Sequence, residues 1–262
     1  MIIRKSPHEI ELMAAAGAVV AQTLQLVGSQ LRPGITTAEL DRIAEDHIRA
    51  CGGTPTFKGY RGYPASICSS PNEVVVHGIP GGYTVRDGDI VSIDVGVTKD
   101  GFVADSAYTF PVGELDDETK RLLEVGQEAL AAGIEQARPG NRVGDISAAV
   151  QRVTEDAGFA VVRSLVGHGV GRSMHEEPQV PNFGRAGRGP ELVEGMTIAI
   201  EPMINAGDQE VVLADDGWTI SSADGSASVH FEHTVAVTAD GPLVLTTAEG
   251  VDLVDVARSL VR

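Results

Sequence analysis

Gly88-Asp89-Ile90-Val91-Ser92-Ile93-Asp94 and, 107 positions later, Gly195-Met196-Thr197-Ile198-Ala199-Ile200-Glu201 are apolar runs of one design, each opening on glycine and closing on a carboxylate. Each lies downstream of a second repeated stretch. Leu31-Arg32-Pro33-Gly34, with Ala38-Glu39-Leu40-Asp41 and Glu45-Asp46 behind it, recurs loosely 106 positions on as Ala137-Arg138-Pro139-Gly140, then Gly144-Asp145-Ile146-Ser147 and Glu155-Asp156. A helix and a strand duplicated in order, each strand ending in an acid, predict two half-domains facing each other across a shared site. Two copies at so long a period exclude a solenoid.

Around this repeat the chain reads as one domain over 1–262, with the internal pseudo-repeat at roughly 31–110 and 137–237. No linker separates the halves. Helical patterns run from Pro7 towards Gly28, from Thr36-Thr37 to before Gly52-Gly53, from Asp116 to Gln136 and from Val143 to Ala157. Strands are predicted at Val74 to His77, Ile90 to Val97, Val103 to Phe110, Thr197 to Met203, Val211 to Leu213 and Val229 to Thr238. The fold class is therefore α+β.

The net charge of −17 argues against strong direct binding to nucleic-acid phosphates, which depends on Lys and Arg. The N-terminus lacks the apolar core of a signal peptide, and no apolar run approaches 18 residues, so a cytoplasmic protein with no membrane contact is expected. Cys51 and Cys68 form no Cys-x-x-Cys pair and are expected to be free thiols.

Strand alternation places Ser92, Asp94 and Gly96 on one face, with Val91, Ile93 and Val95 on the other. Glu201 shares its face with Thr197 and Ala199, and Glu232 with Thr234 and Ala236. A two-residue Asp100-Gly101 turn would pair Asp94 with Ala107 and leave Asp105 on the same face, whereas a three-residue loop would separate the two acids. Four carboxylates on small-residue faces of apolar strands would repel one another and raise each other's pKa unless a cation joins them. Gly167-His168-Gly169 adds a nitrogen donor between glycines that permit close backbone approach, and His175 follows seven positions later.

These residues, with Cys68, Asn72-Glu73, Val76-His77-Gly78-Ile79-Pro80, Asp105-Ser106, His175-Glu176-Glu177-Pro178-Gln179-Val180, Ile200-Glu201-Pro202-Met203 and Glu232-His233-Thr234, resemble in order the type I methionine aminopeptidases, in their short bacterial form. The resemblance covers nearly the whole chain. It implies the pita-bread fold of peptidase family M24: two pseudo-symmetric halves with a curved antiparallel sheet covered by helices. It further implies two divalent metal ions (cobalt, iron, manganese or zinc) on Asp94, Asp105, His168, Glu201 and Glu232. Asp105 and Glu232 would bridge, Asp94 would complete one site, and His168 and Glu201 the other. Glu201 resembles the proton shuttle, and His77 and His175 the two histidines that contact substrate and stabilise the tetrahedral intermediate.

By the same resemblance Tyr60, Tyr63, Cys68 and Trp218 line a methionine pocket. Phe57 and Met174 stand where other residue types often occur, and Asn72, Val74 and Ser228 resemble a monovalent-cation site. The implied activity is removal of the initiator methionine from nascent chains whose second residue is small. The ribosome, where those chains emerge, is a candidate partner, and a monomer is expected. The 26 positions from His175 to Glu201 hold no large insertion, which argues against the type II form, and the short form without a zinc-binding N-terminal extension is expected. The alternatives are an Xaa-Pro-type aminopeptidase of the same fold and a pita-bread protein that has lost catalysis and serves as a binding module; the five intact ligand positions argue against the latter.

Overall fold

Two helical hairpins flank the molecule and dock in the same way. The computed structural model describes residues 2–261. The first hairpin joins α1 (Pro7–Gln30) to α2 (Thr37–Ala50), and the second joins α3 (Asp117–Glu135) to α4 (Val143–Asp156). At the first turn Gly34 N–H donates to Val85 O at 2.8 Å and Thr37 N–H to Tyr83 O at 3.0 Å. At the second, Gly140 N–H donates to Leu192 O and Val143 N–H to Pro190 O, both at 3.0 Å. Gly34 and Gly140 adopt φ of 95° and 89°, which glycine tolerates without the strain a side chain would bring. The repeated Arg-Pro-Gly is thus one turn used twice.

Helix starts follow the capping chemistry. Ser6 and Glu9 form a reciprocal capping box ahead of Pro7, and Thr36 and Glu39 form another on α2. α1 is more apolar than expected: an 18-residue window reaches a mean hydropathy of 1.5, enough by length and composition to span a membrane. Half of that window is buried within the protein, and α1 packs on the strands Ile90–Lys99 and Phe102–Pro111, as a core helix does. A fifth helix, α5 (Leu253–Leu260), follows the last strand and was not anticipated.

The strand carrying Asp94 (Ile90–Lys99) runs antiparallel between Cys68–Pro71 and Phe102–Pro111. The strand leading to Glu201 (Thr197–Ile200) runs likewise between Val166–Gly169 and His233–Thr238. The Asp100-Gly101 turn has two residues, with φ of 50° and 79°, closed by the Lys99–Phe102 pair. Asp94 therefore pairs with Ala107 and Asp105 with Gly96, as the short turn requires. Val91, Ile93 and Val95 enter the main core with Val20, Leu24, Ile198 and Val235, while the small-residue face is left towards the other half.

Two expected strands are broken. Thr197 to Met203 is interrupted at Glu201-Pro202, and Val229 to Thr238 at Phe231-Glu232. Pro202 has no N–H for a ladder, and its carbonyl accepts from Phe231 N–H at 3.2 Å. Beyond the breaks, Met203–Asn205 and Ser228–His230 pair with each other in a different sheet. Glu201 and Glu232 thus sit in adjacent bends, and continuous strand alternation does not set their direction.

Candidate active site and metal centre

The seam between the two half-sheets gathers the acids. Thr234 Oγ1 donates to Asp105 O at 2.8 Å and accepts from Asp105 N–H at 3.0 Å, while Glu232 N–H donates to Ala107 O at 2.9 Å. These bonds bind the Asp105 strand to the segment carrying Glu232. The donor atoms of Asp105, His168 and Glu232 lie within 4.8 Å of one another. His168 Nε2 is 3.6 Å from Glu201 Oε1 and 3.9 Å from Asp105 Oδ2. Asp94 lines the same cavity of about 300 Å³.

The residues fit a divalent cation. Asp105 is 3% and Glu232 2% exposed, and Asp94 Oδ1, Asp105 Oδ1 and Glu232 Oε1 have no hydrogen-bond partner among the described residues. Buried carboxylate oxygens without partners are costly unless a cation or a proton meets them. Burial pushes Glu201 up to about 7 and Asp94 to about 6; burial and then the neighbouring acids push Asp105 and Glu232 well above the usual range. Burial lowers His168, so its imidazole is neutral near pH 7. Its Nδ1 donates to Gly169 O at 2.9 Å, which leaves the Nε2 lone pair directed at the acids. The flanking glycines have a steric cause: a Cβ would come within 2.4 Å of Ala199 O at Gly167 and 2.3 Å of Glu177 O at Gly169.

The two other predicted histidines line the same cavity. His175 stacks near His168 with ring centroids 4.3 Å apart, and its Nδ1 lies 2.8 Å from Tyr60 Oη. The next residue anchors this segment: the buried Glu176 carboxylate accepts from Lys5 Nζ at 2.6 Å and from Arg172 and Ser173 N–H at 2.9 and 3.2 Å. His77 has φ of 59°, uncommon for a residue with a Cβ and frequent where function fixes the backbone. Burial lowers both histidines, His77 to about 4.

At the apolar end Phe57, Tyr63, Cys68 and Met174 are buried in a cluster separate from the main core, with Tyr60 and Trp218 partly buried against it. Tyr63 and Trp218 meet edge-on at 5.1 Å, and Tyr63 Oη donates towards Ile67 O and Gly78 O, both at 3.0 Å. Phe57 lies over Gly96, where a Cβ would come within 2.6 Å of its ring. Burial raises the Cys68 thiol, keeping it neutral. Cys51 caps the end of α2 and does not line this cavity.

Asn72, Val74 and Ser228 lie outside the cavity. Ser228 N–H donates to Asn72 O at 2.9 Å, and Val74 begins the strand that follows. The Asn72 side chain is engaged by Tyr83, Asp89 and Ile90 N–H. The residue that sequence reasoning missed is His230, whose Nε2 is 3.6 Å from Glu201 Oε2. Its two-residue spacing from Glu232 was the available signal. Arg61, Leu165 and Met203 also line the cavity unforeseen.

The sequence profile of metallopeptidase family M24 matches residues 11–239. A methionine aminopeptidase of Clostridium perfringens is 53% identical over 94% of this chain and 99% of its own length. The crystal structure of a Thermotoga maritima methionine aminopeptidase superposes with a TM-score of 0.93 at 45% identity, covering 95% of this chain and all of that one. The Pyrococcus furiosus prolidase shares the fold, with a TM-score of 0.77 at 22% identity over 66% of its chain. On the profile match and these near-full-length likenesses, the chain belongs to metallopeptidase family M24, with the pita-bread fold.

Proposed function

We propose that this protein is a metal-dependent methionine aminopeptidase that removes an N-terminal methionine when the second residue is small. The observation that carries the reading is the junction, in one cavity, of a buried acid and histidine cluster with a separate apolar pocket holding a neutral thiol and aromatic rings. Thiol and aromatic surfaces suit a polarisable thioether, and the near-full-length likeness to methionine aminopeptidases supports the same substrate.

Asp94, Asp105, His168, Glu201 and Glu232 would together hold two divalent ions. When bound, such ions polarise a carbonyl and make water nucleophilic at neutral pH. Glu201 takes the water proton and returns it to the departing amine. His77 and His175 donate hydrogen bonds to the scissile carbonyl as charge develops on its oxygen. One His with four carboxylates accepts cobalt, iron, manganese or zinc. Asn72, Val74 and Ser228 are proposed to hold a monovalent cation; the Asn72–Ser228 hydrogen bond supports this by bringing two of the three together. Because the substrates are new chains, the cytoplasm is the proposed site of action and the ribosome a candidate partner.

Release of free methionine from Met-Gly-Met-Met and Met-Leu-Met-Met tests the reading, using chelated protein with each ion restored in turn. Metal-dependent cleavage of the first peptide alone is expected. Folded, metal-bound protein that cleaves neither would overturn it. Tyr60→Phe removes the hydroxyl beside His175 Nδ1, and steady-state kinetics are expected to show kcat/KM lower by about two- to tenfold, the worth of one hydrogen bond.

A further inference from the structure

His230 is 2% exposed, ends the strand Ser228–His230 and lines the catalytic cavity. Its backbone is fixed at both polar atoms by Thr109, whose Oγ1 donates to His230 O and accepts from His230 N–H, both at 2.9 Å. The side chain is not fixed in this way. Nε2 is buried without a hydrogen-bond partner among the described residues, and its nearest carboxylate oxygens are Glu201 Oε2 at 3.6 Å and Glu232 Oε2 at 4.0 Å. Glu201 is therefore shared between two imidazoles, one oxygen towards each: Oε1 faces His168 and Oε2 faces His230, both at 3.6 Å.

The two histidines are not equivalent. His168 belongs to the mutually close group with Asp105 and Glu232, and His230 does not. Resting on the proposed function above, we infer that His230 is a positioning residue for Glu201, donating its Nε2–H to Oε2 so that the carboxylate presents Oε1 to the ligand cluster. The 3.6 Å separation is longer than a hydrogen bond, and a carboxylate rotation that shortens it by several tenths of an ångström would give the partnerless Nε2 its acceptor. An imidazole N–H at the outer oxygen of a carboxylate restricts its rotation, as the outer partners of ligating groups do.

The test compares wild type with His230→Leu and His230→Gln, the first removing the donor and the second replacing it with an amide N–H. Calorimetric titration with manganese of each chelated protein is read beside kcat and KM for Met-Gly-Met-Met. For His230→Leu, kcat is expected to fall about 10- to 100-fold, by analogy with other outer-shell losses, with KM, the number of bound ions and their Kd near wild type. His230→Gln is expected to recover most of kcat. Unchanged kcat in His230→Leu would overturn the inference. So would loss of a bound ion, which makes His230 a ligand, or a His230→Gln as slow as His230→Leu, which makes the imidazole itself essential. Failure of the wild type to release methionine with any ion would instead overturn the aminopeptidase reading, and is told apart because it precedes every variant.

Discussion

Glu201→Gln is expected to lower kcat for Met-Gly-Met-Met by about 10²- to 10⁴-fold, the usual contribution of a positioned general acid or base. The proposed mechanism gives this residue two tasks. It lies 3.6 Å from His168 as a prospective ligand, and its carboxylate, reaching the cavity with two oxygens, is placed to accept a proton and return it. Glutamine keeps the shape and one ligating oxygen but cannot carry the proton. The loss should therefore fall on kcat, with KM changed little, since an interaction confined to the transition state does not alter ground-state binding. Stopped assays with parallel metal analysis check this. A variant that keeps its metal and more than about a tenth of wild-type kcat would remove Glu201 from the proton-transfer role.

Much of this site is legible in the sequence because its signals are local. Asp100-Gly101 dictates a two-residue turn, and that turn alone fixes Asp94 and Asp105 on one face. The 106-position repeat gives the two helical hairpins, whose turn glycines make the same hydrogen bonds in each half. The bends at Glu201 and Glu232 were harder to foresee. Pro202 signals one of them, but nothing local to Phe231-Glu232 marks a strand that leaves one sheet for another, because that break answers the one at Pro202 across a long-range hydrogen bond. His230 was missed for a related reason: its importance comes from facing Glu201, which lies 29 positions earlier. Lys5 likewise reads as surface charge, yet it is buried against Glu176, 171 positions away.

Neutralising Asp105 is expected to stabilise the metal-free protein while destroying its response to metal. Among the described residues Asp105 Oδ1 has no hydrogen-bond partner, and burial followed by Asp94 and Glu201 raises its pKa well above the ordinary value. Glu232 is raised for similar reasons, and Glu201 to about 7. A carboxyl whose pKa is raised on folding adds stability that is fully present below its unfolded pKa and is lost as pH rises through the folded one. The histidines of this region act in the opposite sense. His77, His168, His175, His230 and His233 are all lowered by burial, so their contribution grows with pH and is complete once the unfolded value of 6.5 is passed. Between pH 7 and pH 9 the raised carboxyls of this centre and, towards the upper end, the raised Cys68 thiol change in the same sense, and the chelated wild type should lose stability across that window. Asp105→Asn removes one buried charge at nearly constant shape. In urea unfolding at pH 8 with chelator it should exceed wild type by on the order of 1–3 kcal/mol, the cost of a buried charged group that lacks partners. Saturating divalent ion reverses the order, because binding to the folded state alone adds about 2.7 kcal/mol at a hundred times Kd, and only the wild type keeps the full ligand set. Chelated wild type that grows more stable from pH 7 to pH 9, or an Asp105→Asn protein stabilised by metal as strongly as wild type, would show that the cluster is not the repelling, cation-dependent assembly its geometry describes.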